Sequence, residues 1–228
     1  VNLPLVCWFR TAFLADVVPS KLALVMDRSA ILGDCQIFLN GSRLPSNAFR
    51  PTFRYDHSNV TCAIGRRATR GKNVLAIRVE LDQISGGLVD PFFLFGRFGV
   101  RRWRRNAFRI TNPVESGPLT RLEDLRMPFY AGTVAYNREI AFPSQPESEE
   151  FELCLEDQLV DSSDIVEVLL NGHSMGVRAW APYRWTGRTE WLKPGRNRVT
   201  LRMTNTLARL LTGREFSPRS HRMVPVKV

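Results

Sequence analysis

Apolar and polar residues alternate with a period of two along seven separate stretches of the chain: 21–26, 35–39, 60–64, 74–79, 151–155, 165–170 and 199–203. That period sends successive side chains to opposite faces, so each stretch suits a half-buried β-strand. Gly, Pro, Asn and Asp punctuate the intervals. A single helical pattern stands out, 206–211, with Asn205 as its candidate cap and Gly213 as its stop. The connections are too short to hold crossover helices, which disfavours parallel pairing and favours antiparallel pairing. The pattern predicts an all-β sandwich.

The halves repeat one another. Trp8-x-Arg10 before Phe13 is answered by Tyr136-x-Arg138 before Ile140, 128 residues on from Trp8 to Tyr136. Ile37-Phe38-Leu39-Asn40-Gly41 is answered by Val168-Leu169-Leu170-Asn171-Gly172 at an offset of 131, and the stretch from Gly71-Lys72-Asn73 to Val79 by that from Gly195-Arg196-Asn197 to Met203 at an offset of 124. Three landmarks in one order mark an internal repeat. In the last pair Leu75, Ile77 and Val79 share a face opposite Ala76 and Arg78, and Val199, Leu201 and Met203 repeat it opposite Thr200 and Arg202. Asn-Gly after an apolar run predicts a hairpin, because both residues tolerate the positive φ of a primed turn. The expected organisation is two antiparallel β-sandwiches in tandem: 1–108, a linker or inter-domain segment 109–130, and 131–228.

Composition supports folding. The 228 residues are 44% hydrophobic and include 14 Phe, 5 Trp and 4 Tyr, core material that disordered chains lack. No apolar run approaches the roughly 20 residues of a membrane helix, and the N-terminus lacks the regions of a secretory signal. No membrane partner is expected; the compartment is left open, because the chain begins at Val1 and a leader could have been trimmed from a precursor. The net charge of +10 rests on 28 Arg and only 4 Lys. Phosphate-tracking proteins commonly use both residues, so a base-composition bias in the coding sequence explains the skew more directly than a polyanion partner does. Cys7, Cys35, Cys62 and Cys154 match no zinc or dithiol spacing, and buried free thiols are the expectation. Asn40-Gly41-Ser42 and Asn59-Val60-Thr61 fit the glycosylation pattern, which needs a secretory context.

Several segments carry a family resemblance. Val166-Glu167-Val168-Leu169-Leu170-Asn171-Gly172, then Gly176-Val177-Arg178-Ala179-Trp180-Ala181-Pro182-Tyr183-Arg184-Trp185, then Leu192-Lys193-Pro194-Gly195-x-Asn197, together with the close from Val199 to Leu211, resemble the galactose-binding-like (jelly-roll) sugar-binding domains of glycoside hydrolase family 2 and the terminal sandwiches of bacterial α-L-rhamnosidase-like enzymes. The first half is similar through the stretches from Cys35 to Gly41 and from Gly71 to Val79, and through Gly86-Gly87-Leu88, Pro91 and the run from Leu94 to Val100. The resemblance spans about 190 residues, as a count over these segments. It implies an accessory module whose parent enzyme carries its carboxylate pair in a separate catalytic domain.

The chemical inventory points the same way. Only His57, His173 and His221 are bases near neutrality, and none sits in a metal-ligand pattern. No catalytic residue, metal or cofactor is assigned. The acidic run Glu147, Glu149, Glu150, Glu152, Glu156 and Asp157 reads as a solvated loop rather than a calcium site. Trp180, Tyr183 and Trp185, with Arg184 between them, are the candidate ligand-binding residues: a flat aromatic face suits a pyranose ring, although burial of Trp180 and Tyr183 as anchors is the favoured alternative. Phe53 and Tyr55 are read as their counterparts in the first half. Arg101, Arg102, Arg104 and Arg105 around Trp103, with Arg97, Arg109 and Phe108, form the candidate anionic-partner contact. For that cluster a linker or domain contact ranks first, an anionic glycan second and nucleic acid third.

The expected function is a non-catalytic, carbohydrate-associated region of a glycoside hydrolase, a scaffold with glycan contact, partnered by the catalytic domain of the parent enzyme. The rivals are a structural or protein-interaction module, a polyanion binder and a complete hydrolase.

Overall fold

The computed structural model describes residues 2–104, 107–142, 144, 147–156, 164–217 and 220–226. It divides into two compact units, Val1–Glu115 and Ser116–Val228. The fold is all-β, built of antiparallel sheets around two separate cores.

Unit 1 contains β1 (Leu5–Ala15), β2 (Ala23–Asp27), β3 (Ile31–Leu32), β4 (Asp34–Leu39), β5 (Ser42–Leu44), β6 (Arg50–Pro51), β7 (Asn59–Ala63), β8 (Gly71–Leu81), β9 (Gly87–Leu88), β10 (Phe93–Phe95), β11 (Gly99–Arg104) and β12 (Ala107–Thr111). One sheet runs β11-β12-β1-β8-β4-β5 and the other β10-β2-β7-β6. β8 shows why they face each other. Asn73, Leu75, Ile77, Val79 and Leu81 are buried while the residues between them are half-exposed. The inward side chains join Leu24 and Met26 of β2 and Val60 and Cys62 of β7 in one apolar cluster. The expectation of antiparallel pairing needs one correction: while β1 pairs with β8 along its whole length, its other edge takes β12 in parallel, with Leu14 opposite Arg109 and Ala15 opposite Ile110.

Unit 2 contains β13 (Thr133–Phe142), β14 (Glu150–Cys154), β15 (Ile165–Leu170), β16 (His173–Arg178), β17 (Arg184–Arg188), β18 (Gly195–Thr204), the helix α1 (Ala208–Thr212), β19 (Arg214–Ser217) and β20 (Arg222–Pro225). Its larger sheet runs β13-β18-β15-β16, beside the pairs β14-β17 and β19-β20. Val166, Val168 and Leu170 meet Tyr183, Trp185 and Met203 in its core. Gly187 makes room for Phe151, since a Cβ there would lie 2.4 Å from the ring.

The repeat is written into the strand registers. Cys35, Ile37 and Leu39 lie opposite Val79, Ile77 and Leu75; Val166, Val168 and Leu170 lie opposite Met203, Leu201 and Val199. The same pairing corrects one landmark. Phe9 faces Ile77 and Tyr136 faces Leu201, so Tyr136 answers Phe9 and not Trp8. A slip of one residue reverses faces. Phe9 and Tyr136 both pack on their cores, whereas Trp8 is 61% exposed. In the second sheets β2-β7 and β14-β17 correspond, which sets Trp185 against Val60 and makes Ser58, not Phe53 or Tyr55, the counterpart of Tyr183.

Both Asn-Gly turns adopt the conformation that the hairpin needs. Asn40 and Gly41 have φ of 52° and 81°, Asn171 and Gly172 of 51° and 91°. Each turn is also clasped by a second Asn. The Asn40 amide donates to Asn73 Oδ1 at 2.9 Å, and Asn171 to Asn197 Oδ1 at 2.8 Å. Asn40 Oδ1 accepts from the N–H of Val74, and Asn171 Oδ1 from that of Arg198, each at 2.9 Å. Asn73 and Asn197 are fully buried.

Residues 109–130, expected as a linker, are distributed between the units: β12 lies in the large sheet of unit 1, while Leu119 packs on the core of unit 2 and Leu125 is buried. The helix falls at Ala208–Thr212 rather than 206–211. Asn205 does not cap it but ties the end of β18 to residues 130–132, accepting from Gly132 N–H at 2.9 Å and donating to Tyr130 O at 2.8 Å. Gly213, left-handed at φ 62°, ends it as expected.

The cysteines are free, but Cys154 is exposed, against the buried-thiol expectation. It sits on the outward register of β14, after Glu150 and Glu152. The hydrogen bond to Glu152, followed by slight burial, raises its pKa. A thiol reagent applied to the native protein is expected to label Cys154 ahead of Cys7, Cys35 and Cys62, with a rate still climbing above the ordinary thiol range; Cys154→Ser should delete the fast phase.

Candidate functional site

The four candidate residues of the second half separate into two pairs. Tyr183 and Trp185 are 2% and 1% exposed and are stacked with ring centroids 6.3 Å apart. Trp185 Nε1 donates to the Gly176 carbonyl at 3.1 Å. Rings so enclosed have no face left for a sugar: Tyr183 takes the anchoring place that was the favoured alternative for it, and for Trp185 the stacking expectation is corrected to core anchoring. Trp180 is 75% exposed, against the favoured expectation of burial. It lies in the segment between β16 and β17, whose ends are joined where Arg178 Nε donates to Arg184 O at 3.1 Å. Arg184 is also exposed and reaches Glu152 at 3.3 Å. The anchors fix the base of a short loop and Trp180 stands out from it.

The arginine cluster is partly self-satisfied. Trp103 is 47% exposed, but the guanidinium carbons of Arg104 and Arg109 lie 4.3 Å and 5.2 Å from its ring centroid. Arg109 pairs with Asp16 at 2.9 Å and Arg97 pairs with Glu115. Arg101 and Arg102 are exposed on β11, an edge strand. Arg105 lies outside the described residues, as does Asp157 of the acidic run. Among the described residues no group of three or more His, Cys, Asp and Glu side chains is placed to hold a metal ion, and no helix is long and apolar enough to cross a membrane.

Two further surfaces escaped the sequence reading. On the outer face of the large sheet of unit 1, Trp8 lies 5.8 Å from Phe38. The register sets Arg10 and Phe38 on either side of Ala76, and Trp8 and Gln36 on either side of Arg78. The Trp8-x-Arg10 alternation is the signal of this face in the sequence. The corresponding face of unit 2 has a hollow of about 600 Å³ with Asn137, Arg198, Thr200 and Arg202 in its lining. Asn137 Oδ1 accepts from Arg198 Nε at 3.2 Å, Arg198 Nη2 at 3.0 Å and Thr200 Oγ1 at 2.8 Å. A second cavity, about 370 Å³ in unit 1, is lined mainly by core side chains such as Phe9, Phe13, Leu24 and Ile77, a lining unsuited to a polyhydroxylated ligand.

The fold and these surfaces define an all-β protein of two sandwiches with exposed aromatic and guanidinium groups. No protein-family model matches the sequence, and no curated protein matches it. Solved structures similar to it include Streptomyces avermitilis alpha-L-rhamnosidase complexed with L-rhamnose, at 13% identity and TM-score 0.35 over 88% of this chain and 22% of that one. A glycosyl hydrolase family 2 member from Bacteroides cellulosilyticus is similar at 12% identity and TM-score 0.30, over 87% and 22%. Beta-D-mannosidase from Dictyoglomus thermophilum gives 12%, 0.30, 87% and 24%. The chain thus spans less than a quarter of the length of these three proteins.

Proposed function

We propose that this chain is a non-catalytic pair of galactose-binding-like β-sandwich domains, divided along the sequence between residues 115 and 116, that belongs to a larger carbohydrate-active enzyme. It serves there as a scaffold and, at the Trp180 loop, as a glycan contact. The observation that carries the glycan contact is the contrast within that loop: Trp180 is 75% exposed while Tyr183 and Trp185, a few residues on, are locked in the core. An indole held away from the core on a fixed base offers a flat apolar face to a pyranose ring, and the neighbouring Arg184 offers donors to its hydroxyls. Such a single contact binds weakly, and tethering to a catalytic domain raises its occupancy through effective concentration.

Affinity electrophoresis of the whole chain in gels containing neutral polysaccharides of different linkage tests the contact. At least one gel should retard the protein, and Trp180→Ala should remove most of that retardation without shifting the melting temperature. Absence of retardation in every gel, or retardation indifferent to Trp180→Ala, would refute glycan contact at this loop. A second reading, docking of the parent enzyme's catalytic domain, is favoured by the exposed Trp8 beside the half-buried Phe38. Under it, Trp8→Ala would weaken that association and leave glycan retardation intact. The cluster around Trp103 is the poorer candidate for a polyanion, because Arg97 and Arg109 already have carboxylate partners.

A further inference from the structure

The hollow on unit 2 lies where its sheet carries smaller side chains than the duplicated sheet of unit 1, and the largest of these differences falls at one position. The register equates Ala135 with Trp8, Asn137 with Arg10, Leu169 with Phe38, Thr200 with Ala76 and Arg202 with Arg78. In unit 1 the Trp8 indole occupies this place beside Phe38. In unit 2 the position holds only the methyl of Ala135, and the space of about 600 Å³ opens above it.

The lining is polar and already oriented. Asn137 Oδ1 takes two hydrogen bonds from Arg198 and one from Thr200, which holds the Nε–Nη2 edge of the guanidinium in place and leaves its Nη1–Nη2 end for a ligand. Arg202 reaches Glu167 at 3.1 Å, and Arg196 reaches Glu139 at 3.4 Å. Among the described residues neither Arg198 nor Lys193, which also lines the hollow, pairs with a carboxylate. Arg202 is held by Glu167, so Arg198 and Lys193 carry the uncompensated charge of the hollow. Arg198, Thr200 and Arg202 follow one another on one face of β18 over about 13 Å at the rise of a strand, a length that suits a short oligomer lying along the strand with an acidic group at Arg198. Guanidinium forks bind carboxylate and sulfate alike, and Thr200 and Asn137 supply partners for hydroxyls.

We propose that this hollow binds an anionic oligosaccharide, carboxylated or sulfated, lying along β18. The saccharide class rests on the carbohydrate reading above, while the anionic character rests on the charge of the hollow itself. The whole chain is titrated calorimetrically with an oligogalacturonate, a chondroitin sulfate oligosaccharide, a neutral malto-oligosaccharide and a single-stranded oligonucleotide of similar length. At least one acidic saccharide should bind, and the one that does identifies carboxylate or sulfate as the group recognised.

Ala135→Trp, which fills the hollow with the residue its counterpart carries, and Arg198→Ala should each weaken that binding about tenfold or more, equivalent to about 1.4 kcal/mol. Melting temperatures verify that both variants fold. Trp180→Ala should leave the acidic saccharide bound, so that failure of the Trp180 contact and failure of this site are told apart. Binding indifferent to Ala135→Trp, no binding of either acidic saccharide, equal binding of the neutral one, or tighter binding of the oligonucleotide dependent on Arg198 would each overturn the proposal.

Discussion

Asn73→Ala is expected to destabilise unit 1 by about 3 kcal/mol or more, and Asn197→Ala to do the same to unit 2. Each side chain is fully buried and each amide is used at both ends. Asn73 Oδ1 accepts from Thr69 N–H at 2.8 Å and from the Asn40 amide at 2.9 Å, and its Nδ2 donates to the carbonyls of Thr69 at 2.7 Å and Gly71 at 3.3 Å. Asn197 repeats all four, with Lys193 N–H at 2.8 Å, the Asn171 amide at 2.8 Å, Lys193 O at 2.7 Å and Gly195 O at 3.1 Å. Truncation strands polar groups at each site, and stranded groups in the interior cost far more than a hydrogen bond contributes net.

The loss also reaches the hairpin. Asn40 donates to Arg67 O at 3.1 Å and Asn171 to Trp191 O at 2.8 Å, so each clasp joins a turn to the loop that leads into the central strand. Asn73→Asp should be no milder, since a carboxylate oxygen would then face the Thr69 and Gly71 carbonyls. Urea unfolding followed by tryptophan fluorescence reads the effect. A change below about 1 kcal/mol in either alanine variant would show that water or a rotated neighbour replaces the clasp.

How much of this was legible in the sequence depends on whether the signal was local. The Asn-Gly turns and the Gly-x-Asn segments were visible because turn chemistry is written in adjacent residues. That Asn40 meets Asn73, or Asn171 meets Asn197, was not, because the partners lie 33 and 26 residues apart. β8 and β15 were legible through strict alternation, whereas β1 was not: it carries Trp8 outward and Phe9 inward, which places apolar residues on both faces and hides the period. Matching Trp8 to Tyr136 by residue type therefore slipped the register by one.

The separation of Trp180 from Trp185 was half legible. Trp185 and Gly187 alternate with exposed Arg184, Thr186 and Arg188 as a strand should, but Trp180 sits in a loop with no period to read. The hollow of unit 2 was illegible for a related reason. It is defined by what Ala135 lacks relative to Trp8, and that comparison requires the register first.

Arg209→Ala is expected to cost unit 2 about 3–5 kcal/mol. The helical pattern gave no hint of this, since an arginine on a short amphipathic helix is normally exposed. Here Arg209 is 6% exposed, with Nη1 2.7 Å from Glu123 and Nη2 2.5 Å from Glu215. Arg121 closes the box, 2.9 Å from Glu215 and 3.5 Å from Glu123 Oε2. Two arginines balance two buried glutamates, and the box ties the segment after Ser116, α1 and β19 together. Removing Arg209 leaves two enclosed carboxylates facing Arg121, which is itself half exposed and a weaker partner.

Rescue should follow from removing the charges that the variant leaves uncompensated. Combining Arg209→Ala with Glu123→Gln and Glu215→Gln should recover part of the loss at neutral pH by removing the uncompensated charges. Thermal melts of the parent, the single variant and the triple variant at neutral pH decide it. A single variant as stable as the parent, or a triple variant no more stable than the single one, would show that the box is solvated and holds nothing together.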